Sequence, residues 1–267
     1  MNGWLALAAA VGSMAYKASA DDALRVALSG LDAPPYQRPP RYRVSLVTIA
    51  YNEHKYIGNL LRSASNQTEP FAEMIVADCS DPGEGTLDVC RSWGATVVPV
   101  DRGNLSASRN SGAAAATGDI LVFDDADHIL SPYLVELAVD ALESGARLAE
   151  PHLALYDSSM WNLAAHFTQM ININGASTCV ALWAKDFWDV GGYDVSCNMI
   201  ANGNCAEDTE FLDRVASIYG PGATRLLSTY IGTSARRLRK FGLGGYGGNF
   251  ATPVRSYQEM VTGICTR

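Results

Sequence analysis

Lysine is scarce in this chain of 267 residues, with 4 against 16 arginines, and the acids outnumber all Lys and Arg together 28 to 20. The resulting net charge of -8 excludes a general nucleic-acid binder, because neutralising a phosphate backbone takes a basic surface. Six cysteines occur without any C-x-x-C pair or metal-ligand spacing, which speaks against a zinc ribbon or a thioredoxin-like motif. Cys197 and Cys205 are the closest pair. In a chain this long with other features of an intracellular enzyme, free thiols are the expectation for them. The four histidines are isolated, and only His128 stands beside a candidate site, where it reads as a polar loop residue. No multi-span membrane segment and no internal repeat is present, so a processive polymer exporter is not expected. With 48% hydrophobic and 18% charged residues, the composition suits one large α/β domain with a substantial core.

The richest stretch is residues 118–131, G-D-I-L-V-F-D-D-A-D-H-I-L-S. Ile120 to Phe123 has the length and β-branched or aromatic content of a buried strand, and it stops at Asp124, Asp125 and Asp127. If the extended conformation persists, Asp125 and Asp127 project to one side and Asp124 to the other. Two carboxylates aimed at one point repel unless a cation lies between them, and hard oxygen ligands favour Mg²⁺ or Mn²⁺, whose coordination shells substrate phosphates complete. The competing explanation is a solvated turn followed by a helix cap at Ser131-Pro132.

Before this stretch, residues 4–16 are apolar yet shorter than the roughly 20 residues of a bilayer-spanning helix. A peripheral membrane helix, flanked by Trp4 and Tyr16, and an Ala-rich helix packed on protein fit equally. An export signal ranks third, since no Lys or Arg precedes the run. Residues 21–32 keep helical spacing, and a Pro-rich lead-in follows to residue 42. Strands are expected at 43–50, 74–77 and 96–100, with helices from Tyr56 and from Thr86 to Trp93 between them. This strand-helix alternation predicts right-handed crossovers and a parallel twisted sheet, with ligands at the carboxyl ends of its strands. Three of those ends are polar: residues 51–53, 78–81 and 124–127. After 132–142 (helix) and 149–156 (strand), the second half predicts a loop and strand over 172–182, a short helix at 183–190, and a helix opening at Glu207 and Asp208. Acids at a helix start are favoured by its dipole without any function. Arg109, in the Ala-rich helix of 104–119, reaches toward phosphate or base on one reading and makes a surface ion pair on the other. Arg236, Arg237, Arg239 and Lys240 form a basic cluster suited to diphosphate or anionic lipid, or to a solvated helix face.

Taken together, V-T-I-A-Y-N-E (47–53), I-V-A-D-C-S-D-P-G-E-G-T (75–86), S-A-S-R-N-S-G-A-A-A-A-T-G-D (106–119), D-A-D (125–127), W-D-V-G-G-Y-D (188–194) and A-E-D-T-E-F (206–211) resemble the family 2 glycosyltransferases. The resemblance implies a single GT-A-type domain over about 43–240, Rossmann-like with a mostly parallel sheet. An N-terminal helical extension over 1–42 and a Gly-rich tail over 241–267 flank it. It implies an inverting, metal-dependent enzyme that moves a sugar from a nucleotide donor to a glycan, lipid-phosphate or protein acceptor. In that scheme Asp125 and Asp127 hold Mg²⁺ or Mn²⁺, and Asp208 beside Glu207 is the catalytic base. Tyr51, Glu53, Asp78, Arg109 and Asp125 would position the donor, and Arg236 and Arg237 its phosphates. The expected location is cytoplasmic, or peripheral on the inner face of the membrane through residues 4–16. The family's usual Q-x-x-R-W motif is not evident. A nucleotidyltransferase is disfavoured, since it calls for a Gly-rich loop where this chain has Tyr-Asn-Glu. A non-catalytic nucleotide-sugar-binding or scaffold protein of the same fold remains the rival from another class.

Overall fold

An apolar run that faces protein on both sides fixes the centre of the sheet. In the computed structural model, Val44–Ala50 forms strand β1 and Ile120–Asp125 forms β4, parallel neighbours with Val44 opposite Ile120. Ile120 and Val122 enter one core with Leu134, Ala138 and Leu142, whereas Leu121 and Phe123 enter a second with Phe187, Phe211 and Val215. Alternation along a single strand therefore requires helices on both faces.

The structure describes residues 22, 24–26, 28–156, 179–197, 205–220, 222–234 and 236. Residues 4–16, Arg237 with the rest of the basic cluster beyond Arg236, and the Gly-rich tail lie outside them. Besides a 3-10 turn at Ser29–Leu31, the remaining elements are α1 (Ile57–Ser65), β2 (Glu73–Asp78), α2 (Thr86–Ser92), β3 (Thr96–Pro99), α3 (Leu105–Ala115), α4 (Leu134–Glu143), β5 (Leu148–Leu155), β6 (Val180–Trp183), α5 (Ala184–Asp189), α6 (Glu207–Tyr219) and β7 (Thr224–Thr233). Among the described residues, seven strands lie in the order β3-β2-β1-β4-β6-β5-β7. The first four are parallel, β6 runs antiparallel to both β4 and β5, and β5 and β7 are parallel. The expected mostly parallel α/β sheet is present. The reversal at β6 and the whole of β7 are additions that the hydrophobic pattern did not announce.

Because β2, β1 and β4 are parallel and adjacent, Asp78, Ala50 and Asp125 end along one edge of the sheet. Helix α3 packs on β1 and β2 at unusually close range. A Cβ on Gly112 would stand 2.6 Å from Val47 Cγ1, so only glycine permits this approach. The Pro-rich lead-in is clamped onto the domain rather than hanging from it. Arg41 pairs with Glu69 at 2.9 Å and Asp140 at 2.6 Å, and Arg38 pairs with Glu69 at 3.2 Å and Glu136 at 2.7 Å. Glu69 is wholly buried, so these two guanidiniums are what allow its charge there.

Candidate functional site

Strand β4 carries its extended conformation only as far as Asp125, which sends its terminal acids to different surroundings. Asp124 turns inward and its Oδ1 lies 2.6 Å from His128 Nδ1, both side chains buried. Burial works against a charged imidazole, but the adjacent Asp124 carboxylate outweighs it and lifts His128 to about 9. His128 is thus a buried imidazolium partner, not the polar loop residue expected. On the other side, Asp125, Asp127 and His128 offer ligand atoms all within 4.8 Å of one another. Two hard carboxylate oxygens at that spacing fit a divalent cation such as Mg²⁺ or Mn²⁺, while His128 would have to release its proton to join them.

The R-N-S-G segment of α3 has a physical explanation residue by residue. Arg109 is buried, donates from Nη1 to Glu207 Oε1 at 2.7 Å and from Nη2 to Asp125 Oδ1 at 3.2 Å, and sits 5.3 Å from the Tyr193 ring centroid. Burial opposes its charge, but Glu207 and Asp125 raise its pKa and hold it protonated. Asn110 clasps the Gly192-Tyr193 turn in both directions: its Nδ2 donates to Tyr193 O, and the Tyr193 N–H donates to its Oδ1, each at 2.8 Å. Tyr193 stacks on Phe211 of α6 with ring centroids 4.5 Å apart, and Phe187 touches Phe123 at 4.9 Å. W-D-V-G-G-Y-D is therefore the packing wedge that fixes α6 against β4. Arg109 is the ionic bridge between them.

At the end of β1 the chain turns through Asn52, which adopts φ 56° in the left-handed region. Asparagine tolerates this conformation by bonding locally. Its N–H donates to Ser80 Oγ at 2.8 Å, its Nδ2 to Asp81 Oδ2 at 2.8 Å, and its Oδ1 accepts from the Asp81 N–H at 2.9 Å. Tyr51 Oη donates to the same Asp81 oxygen at 3.3 Å, and the Arg102 guanidinium pairs with Asp81 while lying 4.2 Å from the Tyr51 ring centroid. Hydrogen bonds from Asn52 and Arg102 hold the Asp81 carboxyl below its ordinary range. Asp78, by contrast, is buried and spends its oxygens on Ser80, whose Oγ donates at 2.6 Å. The acid presented at this strand end is Asp81. Arg102 and Asp81 were not singled out from the sequence, where only the Asp-rich turn as a whole gave a signal.

Glu53 receives Arg236 in a bidentate pair at 2.7 and 2.6 Å, and Arg236 Nε also lies 3.1 Å from Asp127 Oδ2. Asp208 opens α6, half-buried, with Oδ1 accepting from the Thr209 N–H at 2.7 Å. Facing it, Glu150 of β5 is 3% exposed. Burial first and the Asp208 charge second push the Glu150 carboxyl up to about 7. Just before α6, Cys197 and Cys205 form a disulfide, which corrects the free-thiol expectation. The bridge joins the end of the Tyr193 turn to the residue two places before Glu207. The site thus gathers two sets of ion pairs, Arg109 with Asp125 and Glu207, and Arg236 with Asp127 and Glu53, which meet where Asp125 and Asp127 lie side by side. Tyr51 belongs to a neighbouring cluster around Asp81, and Asp78 is enclosed in its own turn. Among the described residues, no helix is long and apolar enough to cross a membrane.

Comparison with known proteins adds a family to this geometry. Residues 45–192 match the model of "Glycosyl transferase family 2", which spans more than half the chain. A curated protein of Bacillus subtilis (strain 168), named as a candidate glycosyltransferase, EpsH, is 30% identical over 94 residues, covering 33% of this chain and 27% of that protein. The match thus spans about a quarter of the relative's length. Among solved structures, glucosyl-3-phosphoglycerate synthase of Mycobacterium tuberculosis, in complex with Mn²⁺, UDP and glucosyl-3-phosphoglycerate, aligns with TM-score 0.56 and 21% identity, covering 85% of this chain and 81% of that one. TarS of S. aureus with UDP-GlcNAc aligns with TM-score 0.54 and 19% identity, covering 72% and 58%. Mannosyl-3-phosphoglycerate synthase of Rubrobacter xylanophilus aligns with TM-score 0.54 and 15% identity, covering 79% and 78%. At these identities the likeness is one of fold.

Proposed function

Because the chain belongs to glycosyl transferase family 2, we propose that it transfers a sugar from a nucleoside-diphosphate donor to an acceptor hydroxyl or lipid phosphate, with inversion at the anomeric carbon. The observation that carries this reading is that Arg109 ties the acid of β4 to the acid helix: Asp125 and Glu207 are bound to one buried guanidinium. Acids that would face the donor's diphosphate and acids that would face the acceptor are thereby held at a fixed separation.

In this mechanism Asp125 and Asp127 would hold a Mg²⁺ or Mn²⁺. When bound, such a cation stabilises the negative charge that develops on the leaving nucleoside diphosphate. Asp208 takes the proton of the acceptor hydroxyl as its oxygen attacks the anomeric carbon from the face opposite the leaving group. Glu207, fixed by Arg109, positions the first turn of α6. Tyr51 with Asp81 lines the nucleoside side, together with Glu53, and Asp78 shapes that turn from within. Arg236, and Arg237 next to it in sequence, would bind the phosphates. A lipid-phosphate acceptor would give residues 4–16 a role in membrane-surface contact, on the cytoplasmic side where nucleotide sugars are made. The Cys197–Cys205 disulfide pulls the other way, toward an oxidising compartment.

The test is donor turnover, followed as nucleoside-diphosphate release with a panel of UDP-, GDP- and dTDP-sugars, in wild type, Asp127→Ala and Asp208→Asn. Both variants are expected to keep the fold by circular dichroism and to lose transfer. Undiminished turnover in either one removes that residue from the mechanism.

A further inference from the structure

Strand β7 delivers Arg236 back across the sheet to residues 183 positions earlier. Its two Nη atoms grip Glu53 at 2.7 and 2.6 Å, its Nε lies 3.1 Å from Asp127 Oδ2, and its guanidinium lies 4.4 Å from the Tyr56 ring centroid. Arg109 stands in the same relation to Asp125. Each acid of D-A-D therefore has an internal cation. The two cations differ in how they are held. Arg109 is 4% exposed and enclosed by packed helices, whereas Arg236 is 25% exposed at the end of an edge strand.

We propose that Arg236 is a displaceable counter-ion: it neutralises Asp127 and Glu53 in the free protein and competes with a divalent cation for Asp127. This rests on the metal-dependent reading of the site. The same Asp127 oxygen does not serve a guanidinium at salt-bridge distance and a metal ion at coordination distance together, since the two positive charges repel. The coupling between Arg236 and the cation is therefore negative, and linkage makes it reciprocal. Metal held weakly by the empty protein would be held tightly only once an anionic donor arrives to accept the freed guanidinium. Metal and donor then enter as a pair. Arg109, bound to Glu207 at 2.7 Å and to Asp125 at 3.2 Å, repels the cation as well, but equally in wild type and in the Arg236 variants, so it does not enter the difference between them.

The experiment reads Mn²⁺ alone, titrated into the full chain without nucleotide and followed by loss of the free-ion electron paramagnetic resonance signal. Arg236→Ala is expected to bind Mn²⁺ about tenfold more tightly than wild type, within the usual span of coupling between adjacent sites. Arg236→Gln, which keeps length and hydrogen bonding without charge, should show the same sign and serves if the alanine variant does not fold. Arg236→Lys should stay near wild type. A merely structural role predicts the opposite, since a loosened site holds metal less well. Equal or weaker binding in the folded neutral variants, against a wild type that binds Mn²⁺, overturns the counter-ion role and leaves the proposed transfer standing. Failure of wild type and neutral variants alike to bind Mn²⁺ also overturns the counter-ion role, since removing the competing charge should have revealed binding, whereas metal dependence is read separately with donor present.

Discussion

Arg109 and Glu207, 98 residues apart in the chain, meet at 2.7 Å in a buried ion pair that also takes in Asp125. A lone guanidinium there would be costly to bury, and so would either carboxylate; the three are stable only together.

Arg109→Ala should therefore destabilise the protein by about 3–5 kcal/mol, because it leaves the buried Glu207 and the half-buried Asp125 without their shared cation. Urea denaturation measures this directly. Arg109→Lys should recover only part, since an ammonium cannot span both acids as the planar fork does. A loss below about 1 kcal/mol in the alanine variant would place the pair among inconsequential surface bridges.

Glu150 makes stability depend on pH in a particular direction. Its folded-state carboxyl is raised from the ordinary 4.5 to about 7, so the folded protein holds a proton that the unfolded chain has released. The contribution is fully present below about pH 4.5 and is lost as pH rises through about 7, amounting to roughly 3 kcal/mol at most. Glu150→Gln should melt like wild type near pH 5 and several degrees higher at pH 8. Parallel melting curves across that range would contradict the burial assigned to Glu150.

The Cys197–Cys205 bridge closes a short loop with a sequence separation of 8. Its removal should cost about 2–3 kcal/mol by loop entropy and loosen the start of α6, where Glu207 and Asp208 lie. Thermal melts with and without reductant test this. The Cys197→Ser, Cys205→Ser double variant should melt at the reduced temperature in both conditions. Identical melting of oxidised and reduced wild type would count against the bridge as a stabiliser.

Arg41→Ala should lower stability by about 2 kcal/mol, less than Arg109→Ala, because Arg38 still compensates the buried Glu69 at 3.2 Å. Arg38→Ala combined with Arg41→Ala should cost more than the sum of the single changes, since only then is Glu69 left without a cation. Chemical denaturation of the three variants checks this. Simple additivity would mean the lead-in is not acting through Glu69.

The parts of this architecture legible in sequence were those written in local pattern. β1, β2 and β4 are short, nearly continuous apolar runs, and their polar ends marked the edge of the sheet where the acids lie. β7 escaped notice because T-R-L-L-S-T-Y-I-G-T is exposed at its start and buried at its end, so neither continuous nor alternating apolarity runs its length. With β7 unseen, nothing local could place Arg236 against Glu53 and Asp127. Arg109 shows the same limit from the other side. Its motif was visible, yet its partners Asp125 and Glu207 come from two distant elements, so a donor contact and an ion pair could not be told apart until α6 was docked. His128 was passed over because a histidine's environment is set by what is packed around it, here Asp124 on the inner face of β4.

The site proposed at the ends of β1, β2 and β4 binds a nucleotide sugar together with a divalent cation. Thermal shift of the full chain against UDP-, GDP- and dTDP-sugars, with and without Mn²⁺, tests it most directly, since a ligand that binds the folded state raises the melting temperature by mass action. The melting temperature should rise with one nucleotide class, only with Mn²⁺ present, and the rise should vanish in Asp127→Ala. No rise with any donor, in folded protein with Mn²⁺ present, would contradict it.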